Sequence, residues 1–195
     1  MTSNQNLVTN DGLNEPDARN VLDKYRNQSV EAIVADLDTS RSELEVAVEN
    51  LTRDFNMGTI VRNANAFNVA RVHVIGRRQW NKRGAMKTDA YLHIVYYENA
   101  QAFLQAMQNE NREVIAIDIV PGAKELHTLS LPKRAVLVFG SEGDGLSQGL
   151  LKGVKSIVMI EQFGSTRSIN VGVASGIAMY AWVQQHRLLA STSEA

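Results

Sequence analysis

The chain has 195 residues, a formal net charge of −1 and no cysteine. A chain of this length fits one domain and folds without disulfides, and the lack of cysteine excludes a thiol nucleophile and cysteine-based metal sites. The first residues lack the basic and apolar blocks of a signal peptide, and no apolar run approaches the roughly 18 residues of a membrane span. These features predict a cytoplasmic protein with no membrane association.

The small net charge hides an uneven distribution along the chain. Residues 1–50 contain ten acidic and four basic side chains, whereas residues 53–87 contain eight basic side chains and one acidic one. Such a basic block attracts phosphates, and an aromatic residue inside it suits stacking on a nucleic-acid base. A solvated surface is the alternative interpretation. The predicted contact residues are Arg71, Arg77, Arg78, Trp80, Lys82, Arg83 and Lys87.

Residues 1–43 are predicted to form a tail and a helical extension. Residues 1–17 are polar and contain Gly12 and Pro16, which favours a loose tail. Residues 18–36 carry a partial helical stripe of apolar side chains, so a helix or a helix pair is expected to dock on the main domain. That domain is predicted to span residues 44–195.

From residue 44 onward, strand patterns alternate with helix patterns. Strands are predicted at 44–48, 71–76, 93–97, 114–119, 135–139 and 156–160, and helices near 60–67, 100–108 and 170–189. The runs at 114–119 and 135–139 are continuously apolar, which is typical of central parallel strands covered on both faces. The alternation predicts an α/β fold with a parallel sheet.

Three polar segments follow predicted strands and carry the candidate site. The segment 56–62 ends in Arg62, for which the apolar neighbours predict partial burial. The segment 139–147 places three glycines after a buried strand, where parallel sheets bind ligands, although their spacing fits neither a P-loop nor a dinucleotide fingerprint. Ser168 and Asn170 stand at the start of the last helix, where backbone N–H groups are unpaired. Helix capping is the alternative role for both residues.

No metal site is predicted, because the four histidines show no metal-ligand spacing and are interpreted as structural. These residues are His73, His93, His127 and His186.

The three polar segments, in this order, resemble the SpoU/TrmH family of the SPOUT superfamily of RNA methyltransferases. The matching motifs are Asn56-x-Gly58-x-x-x-Arg62-x-Ala64-x-Ala66-Phe67, Val138-Phe139-Gly140-Ser141-Glu142-Gly143-x-Gly145-Leu146-Ser147, and Ile160 through Ser168-Ile169-Asn170-Val171. The resemblance covers about residues 44–188. The chain departs from the family pattern at Asn68 (usually glycine), at Glu161 and Gln162 (usually Pro-Met) and at Gly172 (commonly serine).

The resemblance implies a parallel-sheet SPOUT fold with a deep C-terminal trefoil knot, working as a homodimer. It implies methyl transfer from S-adenosylmethionine to a ribose 2′-hydroxyl of RNA, either tRNA or rRNA. Both substrates stay open, and tRNA is slightly favoured because residues 1–43 are too short for a separate RNA-binding domain.

The same resemblance implies the functional residues. The implied catalytic residues are Arg62, Ser168, Asn170, Asn56 and Glu142. The implied cofactor-binding residues are Gly140, Gly145, Leu146, Ile160, Ser168 and Ile169. Arg62 of one subunit would face the cofactor of the other, and it is expected to clamp a phosphate because arginine keeps its proton.

Two other functions stay open on the sequence alone. One is a non-catalytic RNA-binding protein that uses the same knotted scaffold. The other is a nucleotide-dependent oxidoreductase on an ordinary α/β sheet, which the glycine spacing opposes.

Overall fold

The computed structural model describes residues 17–51, 56–141 and 145–189. Its strands form one seven-stranded sheet in which every neighbouring pair is parallel, in the order β3-β2-β1-β6-β4-β7-β5. The strands are β1 (Glu45–Asn50), β2 (Val72–Gly76), β3 (Ile94–Tyr97), β4 (Glu113–Ile117), β5 (Lys124–Glu125), β6 (Ala135–Phe139) and β7 (Ser156–Met159). The predicted parallel α/β fold is confirmed, and the trefoil knot stays a prediction.

Five α-helices belong to the described part of the chain. They are α1 (Val30–Asp38), α2 (Met57–Ala66), α3 (Ala100–Asn109), α4 (Gln148–Gly153) and α5 (Val171–Val183), which continues as a π-helical turn over Gln184–Leu188. Short 3₁₀ helices cover Asp23–Tyr25, Arg83–Ala85, Thr88–Tyr91 and Leu126–Thr128. The sequence did not predict α4 or β5, since each is too short to show a clear hydrophobic period. Across the described residues, no helix has both the length and the apolar character that crossing a membrane requires.

The sheet is covered on both faces, which explains why its central strands are buried along their whole length. Along β1, Val46 and Val48 face the core that α2 and α5 cover, whereas Ala47 faces the core beneath α3 and α4. Trp182 and Phe103 are the largest fully buried side chains of these two cores. The helices cover the two faces of the sheet. The carboxyl ends of the strands are the place where such sheets bind ligands.

The N-terminal extension docks on the main domain as predicted. Tyr25 and Ile33 pack against Tyr91 in a separate small cluster. Asn68, which stands in place of the family's glycine, takes the left-handed conformation at φ 48° and donates a hydrogen bond from Nδ2 to the Leu37 carbonyl at 3.2 Å. The division of the chain at residues 43 and 44 stays a prediction, and residues 1–16 of the predicted tail lie outside the described residues.

A buried ionic cluster lies at the amino ends of the strands, on the opposite side of the sheet from their carboxyl ends. The Glu45 carboxylate, 0% exposed, accepts from Arg71 Nε at 2.6 Å, pairs with Arg112 at 2.9 Å and lies 2.8 Å from His73 Nε2. The Arg71 guanidinium also pairs with Glu110. Arg71 precedes β2 and its guanidinium pairs with two carboxylates, and its assignment to the nucleic-acid surface stays a prediction.

We expect Glu45→Gln to lower the free energy of unfolding by about 3–5 kcal/mol, because the change leaves buried cations uncompensated. Burial opposes ionisation, but the hydrogen bonds from His73 and Arg71 outweigh it and hold the pKa of Glu45 below its usual 4.5. The stabilisation is therefore present above pH 4.5 and is lost as the pH falls through the lower native pKa. Urea unfolding of wild type and variant as a function of pH measures both effects. Glu98→Gln, at an exposed glutamate, should leave both unchanged.

Candidate active site

A cleft of about 490 Å³ opens at the carboxyl ends of β4, β6 and β7. Its walls come from the residues that follow these three strands and from the segment that leads into α5. The lining consists of residues 117–119, Gly140, Ser141, Gly145, Ile160, Gln162, 167–171 and Ala174. The structure thus brings together five of the six predicted cofactor-binding residues, which lie far apart in the sequence.

A tight turn after β6 forms one wall of the cleft. Ser141 and Gly145 exchange two backbone hydrogen bonds, of 3.2 and 3.1 Å. A Cβ atom on Gly140 would lie 2.2 Å from the carbonyl carbon of Gly145, so the turn closes only around glycine. Gly145 itself has φ +65°, a conformation that other residues rarely adopt.

Two acidic side chains that the sequence analysis missed hold the chain after this turn. Asp118 accepts from the Leu146 backbone N–H at 3.0 Å, and Glu49 accepts from the Ser147 backbone N–H and hydroxyl at 2.7 and 2.6 Å. Each acid stands at or just beyond the carboxyl end of a buried strand, a position that could have signalled its role. The Leu146 side chain is buried and does not line the cleft, and its assignment as a cofactor contact stays a prediction.

Asn170 connects the first and third motifs. Its Oδ1 accepts from the backbone N–H groups of Gly172 and Val173 at 2.9 and 3.2 Å, so the side chain caps α5 as the alternative interpretation predicted. Its Nδ2 donates to Asn56 Oδ1 at 2.8 Å. Ser168 does not cap the helix; it is exposed and lines the cleft. Capping therefore fixes the Asn170 amide at the cleft rather than excluding it from the site.

The close packing of α2 against α5 supports this arrangement. Asn63 Nδ2 donates to the Gly172 carbonyl at 2.9 Å and to Ser175 Oγ at 3.0 Å. A Cβ on Gly172 would lie 2.8 Å from Thr59 Cγ2, which accounts for glycine where the family commonly has serine.

Arg62 is exposed, so the expectation of partial burial is wrong. Ile60, Val61 and Ala64 turn toward the core, and Arg62 emerges from the other side of α2. Within residues 17–51, 56–141 and 145–189 its side chain forms no hydrogen bond or ion pair, and it does not line the cleft. The predicted catalytic Glu142 lies outside the described residues.

The remaining basic residues follow β2 and lie close to α2. Arg77, Arg78, Lys82, Arg83 and Lys87 are all exposed. Lys82 pairs with Asp89 at 2.6 Å and lies 5.5 Å from the Trp80 ring centroid, while Arg78 lies 5.5 Å from that of Tyr96.

Two features of this segment modify the predicted contact surface. Trp80 is half-buried and packs against the core, so only part of its ring is open to a base. A Cβ on Gly58 would lie 2.7 Å from the Ala85 backbone nitrogen. The glycine of the first motif therefore lets the basic segment approach α2, one helical turn from Arg62.

The histidines behave differently from one another. His73 is fully buried, as a structural residue would be, whereas His127 is exposed and hydrogen-bonds Glu161, which raises the pKa of His127. Ligand atoms of Glu125, His127 and Glu161 lie within 4.8 Å of one another, in a grouping that spacing along the sequence does not reveal. Ion pairing between the His127 imidazole and the two carboxylates accounts for this proximity.

Comparison with known proteins finds one matching family and several relatives. The model of the SpoU rRNA Methylase family matches residues 43–180. A tRNA (guanosine(18)-2′-O)-methyltransferase of Borreliella burgdorferi is 23% identical over 86% of this chain and 78% of its own length. An uncharacterized tRNA/rRNA methyltransferase of Mycobacterium sp. (strain KMS) is 30% identical over 74% of this chain. The chain spans about half the length of that mycobacterial relative, 47%.

Solved structures show the same fold. The TrmH/SpoU tRNA modifying enzyme of A. aeolicus superposes with a TM-score of 0.73 at 22% identity, over 84% of this chain and 85% of that one. The SpoU methyltransferase AviRb of Streptomyces viridochromogenes, solved in complex with AdoMet, gives a TM-score of 0.65 at 21% identity, over 75% and 59% of the two chains.

Proposed function

Because this chain belongs to the SpoU rRNA Methylase family, we propose that it is an RNA 2′-O-ribose methyltransferase that uses S-adenosylmethionine. The resemblance inferred from the three motifs is confirmed by the family match. The observation that carries the proposal is the cleft, where residues of the second and third motifs meet and where Asn170 reaches the Asn56 of the first motif.

The cleft fits the cofactor. Its volume of about 490 Å³ lies within the usual range of small-molecule sites, and its walls combine apolar side chains with a few polar groups. Ile117, Ile160 and Ile169 supply apolar surface, and the Asp118 carboxylate supplies a negative charge that suits a cationic ligand. S-adenosylmethionine supplies a methyl group made electrophilic by its positively charged sulfur.

The protein side chains position the RNA. Arg62 keeps its proton and binds a phosphate next to the target ribose, while Asn170, held by its capping bonds, and Ser168 orient the ribose. In the overall reaction the ribose oxygen bonds to the methyl carbon. The carbon–sulfur bond breaks with its electron pair kept by sulfur, and the hydroxyl proton passes to water.

We further propose a cytoplasmic homodimer built on α5. Val173, Ile177 and Tyr180 are 55%, 41% and 51% exposed, and their spacing places them on one side of the helix. A second copy of the chain would cover this apolar face and bring its Arg62 to the cleft, which the protomer's own Arg62 does not line. Light scattering coupled to gel filtration, which gives the mass in solution, tests this assembly.

The first test of the activity is methyl transfer from labelled S-adenosylmethionine to total tRNA and, separately, to rRNA. Nuclease digestion followed by nucleoside mass analysis identifies the product. We expect a 2′-O-methylnucleoside from the tRNA pool. A methylated base would contradict the proposal. Cofactor binding without incorporation into either pool would favour a non-catalytic RNA-binding protein.

Replacing Arg77, Arg78, Lys82 and Arg83 together by glutamine is expected to weaken RNA binding and to flatten its salt dependence. Each lost phosphate contact lowers the slope of log Kd against log salt by about 0.7–0.9, so four contacts lower it by about three. Filter binding between 50 and 200 mM salt measures the slope. The matched control replaces four exposed lysines elsewhere, Lys124, Lys133, Lys152 and Lys155. An unaltered slope in the first variant would identify the basic segment as a solvated surface.

A further inference from the structure

Gln162 is a polar residue of the cleft whose hydrogen-bonding groups are unused. The residue follows β7 and lines the cleft. Its Nε2 and Oε1 are both shielded from water, and in the described part of the chain neither has a hydrogen-bond partner. A buried amide without partners destabilises the fold, and such groups are rare enough in native proteins to require an explanation.

The side chains of the two residues before Gln162 are held by neighbouring groups. The carboxylate of Glu161 accepts from the His127 backbone N–H at 3.3 Å and binds the imidazole of the same residue. Ile160 packs against the core. Methionine, the usual family residue at this position, has nearly the length of glutamine but no amide. The amide of Gln162 is therefore the feature that distinguishes this chain from the family pattern at this position.

We propose that the Gln162 amide turns into the cleft when the cofactor binds and pairs with the edge of its adenine. This inference rests on the proposed function. Adenine presents an amino donor at N6 next to an acceptor at N7, and a glutamine amide offers the complementary acceptor and donor. Both atoms of Gln162 that lack partners are then satisfied at once, and the side chain selects adenine over other bases.

Gln162→Met tests the proposal through two effects of opposite sign. The variant is expected to bind S-adenosylmethionine and S-adenosylhomocysteine about tenfold more weakly, as expected for one lost bidentate contact. Its cofactor-free form is expected to melt about 2–4 °C higher, because a buried unsatisfied amide has been removed. Calorimetric titration and thermal unfolding measure the two effects. If Gln162 had a purely structural role, the Gln162→Met substitution would lower both the cofactor affinity and the melting temperature. Gln101→Met, at an exposed position on α3, serves as the control and should change neither.

A cofactor analogue identifies the contacted group. S-inosylhomocysteine carries a carbonyl in place of the adenine amino group. This carbonyl would place a second hydrogen-bond acceptor opposite Gln162 Oε1. The wild-type protein should prefer S-adenosylhomocysteine, and Gln162→Met should reduce this preference about tenfold. An unchanged preference would overturn the inference while leaving the proposed function intact. A wild-type protein that binds neither S-adenosyl compound would overturn both.

Discussion

Replacing Arg62 by alanine is expected to slow methyl transfer about 10³-fold, the scale seen when a charge-stabilising donor is removed from an active site. Cofactor binding should be nearly unchanged, because the proposed partner of Arg62 is a phosphate of the RNA and not the cofactor, and Arg62 does not line the cleft of its own protomer. Single-turnover rates with saturating RNA and a separate titration of S-adenosylmethionine distinguish the two effects. Unchanged turnover would remove Arg62 from the mechanism.

Two further variants refine this test. Arg62→Lys keeps the positive charge but loses the bidentate geometry of the guanidinium, so it should recover only part of the activity. Arg26→Ala removes an exposed arginine of the N-terminal extension and should leave the rate unchanged.

Mixed dimers test whether Arg62 acts across the subunit interface. An Arg62→Ala protomer paired with an Asn170→Ala protomer assembles one site with both residues intact, if Arg62 serves the cleft of its partner. Activity should then reappear on mixing two nearly inactive variants. No recovery, in a sample shown by mass to contain mixed dimers, would place Arg62 in the site of its own protomer.

Gly140→Ala is expected to lower kcat/KM about 100-fold, the scale of a misplacement of about 1 Å in a site. The added methyl would lie 2.2 Å from the Gly145 carbonyl carbon and 2.6 Å from the Leu146 nitrogen, so the turn that forms the cleft wall must open. The overpacking should lower the free energy of unfolding by about 1–3 kcal/mol. Initial rates at varied S-adenosylmethionine measure the loss in kcat/KM, a titration with S-adenosylmethionine measures the change in cofactor binding, and urea unfolding measures the loss of stability.

Gly149→Ala is the matched control for this substitution. It lies in α4, close after the same turn, and its added methyl meets only Ser147 Oγ at 3.7 Å, an ordinary contact. It should bind the cofactor normally and be slightly more stable, since alanine favours a helix over glycine. Normal cofactor binding by Gly140→Ala would show that the turn does not shape the site.

The sequence by itself determined the parallel α/β fold, the family and two of the segments that line the cleft, those around Gly140 and Ser168. Continuous apolar runs such as Ala135–Phe139 have few alternatives to a buried parallel strand. Glycines that follow a strand, and an asparagine before an apolar helix, are local signals that can be recognised without knowledge of the tertiary contacts. The Asn170 cap was predicted on that basis, and the docked N-terminal helix was predicted from its stripe of apolar side chains.

The tertiary structure alone decided how side chains distant in the sequence are paired. Asn170 and Asn56 meet across 114 residues, and Glu49 reaches Ser147 across 98, distances over which local patterns carry no information. Arg71 belonged to a basic block by sequence, yet the buried carboxylate of Glu45 engages it at the opposite edge of the sheet. The unsatisfied amide of Gln162 also became visible only in the folded protein. Composition shows which groups a chain contains, but hydrogen bonding and burial depend on which elements pack together, and packing determines which groups remain for a ligand.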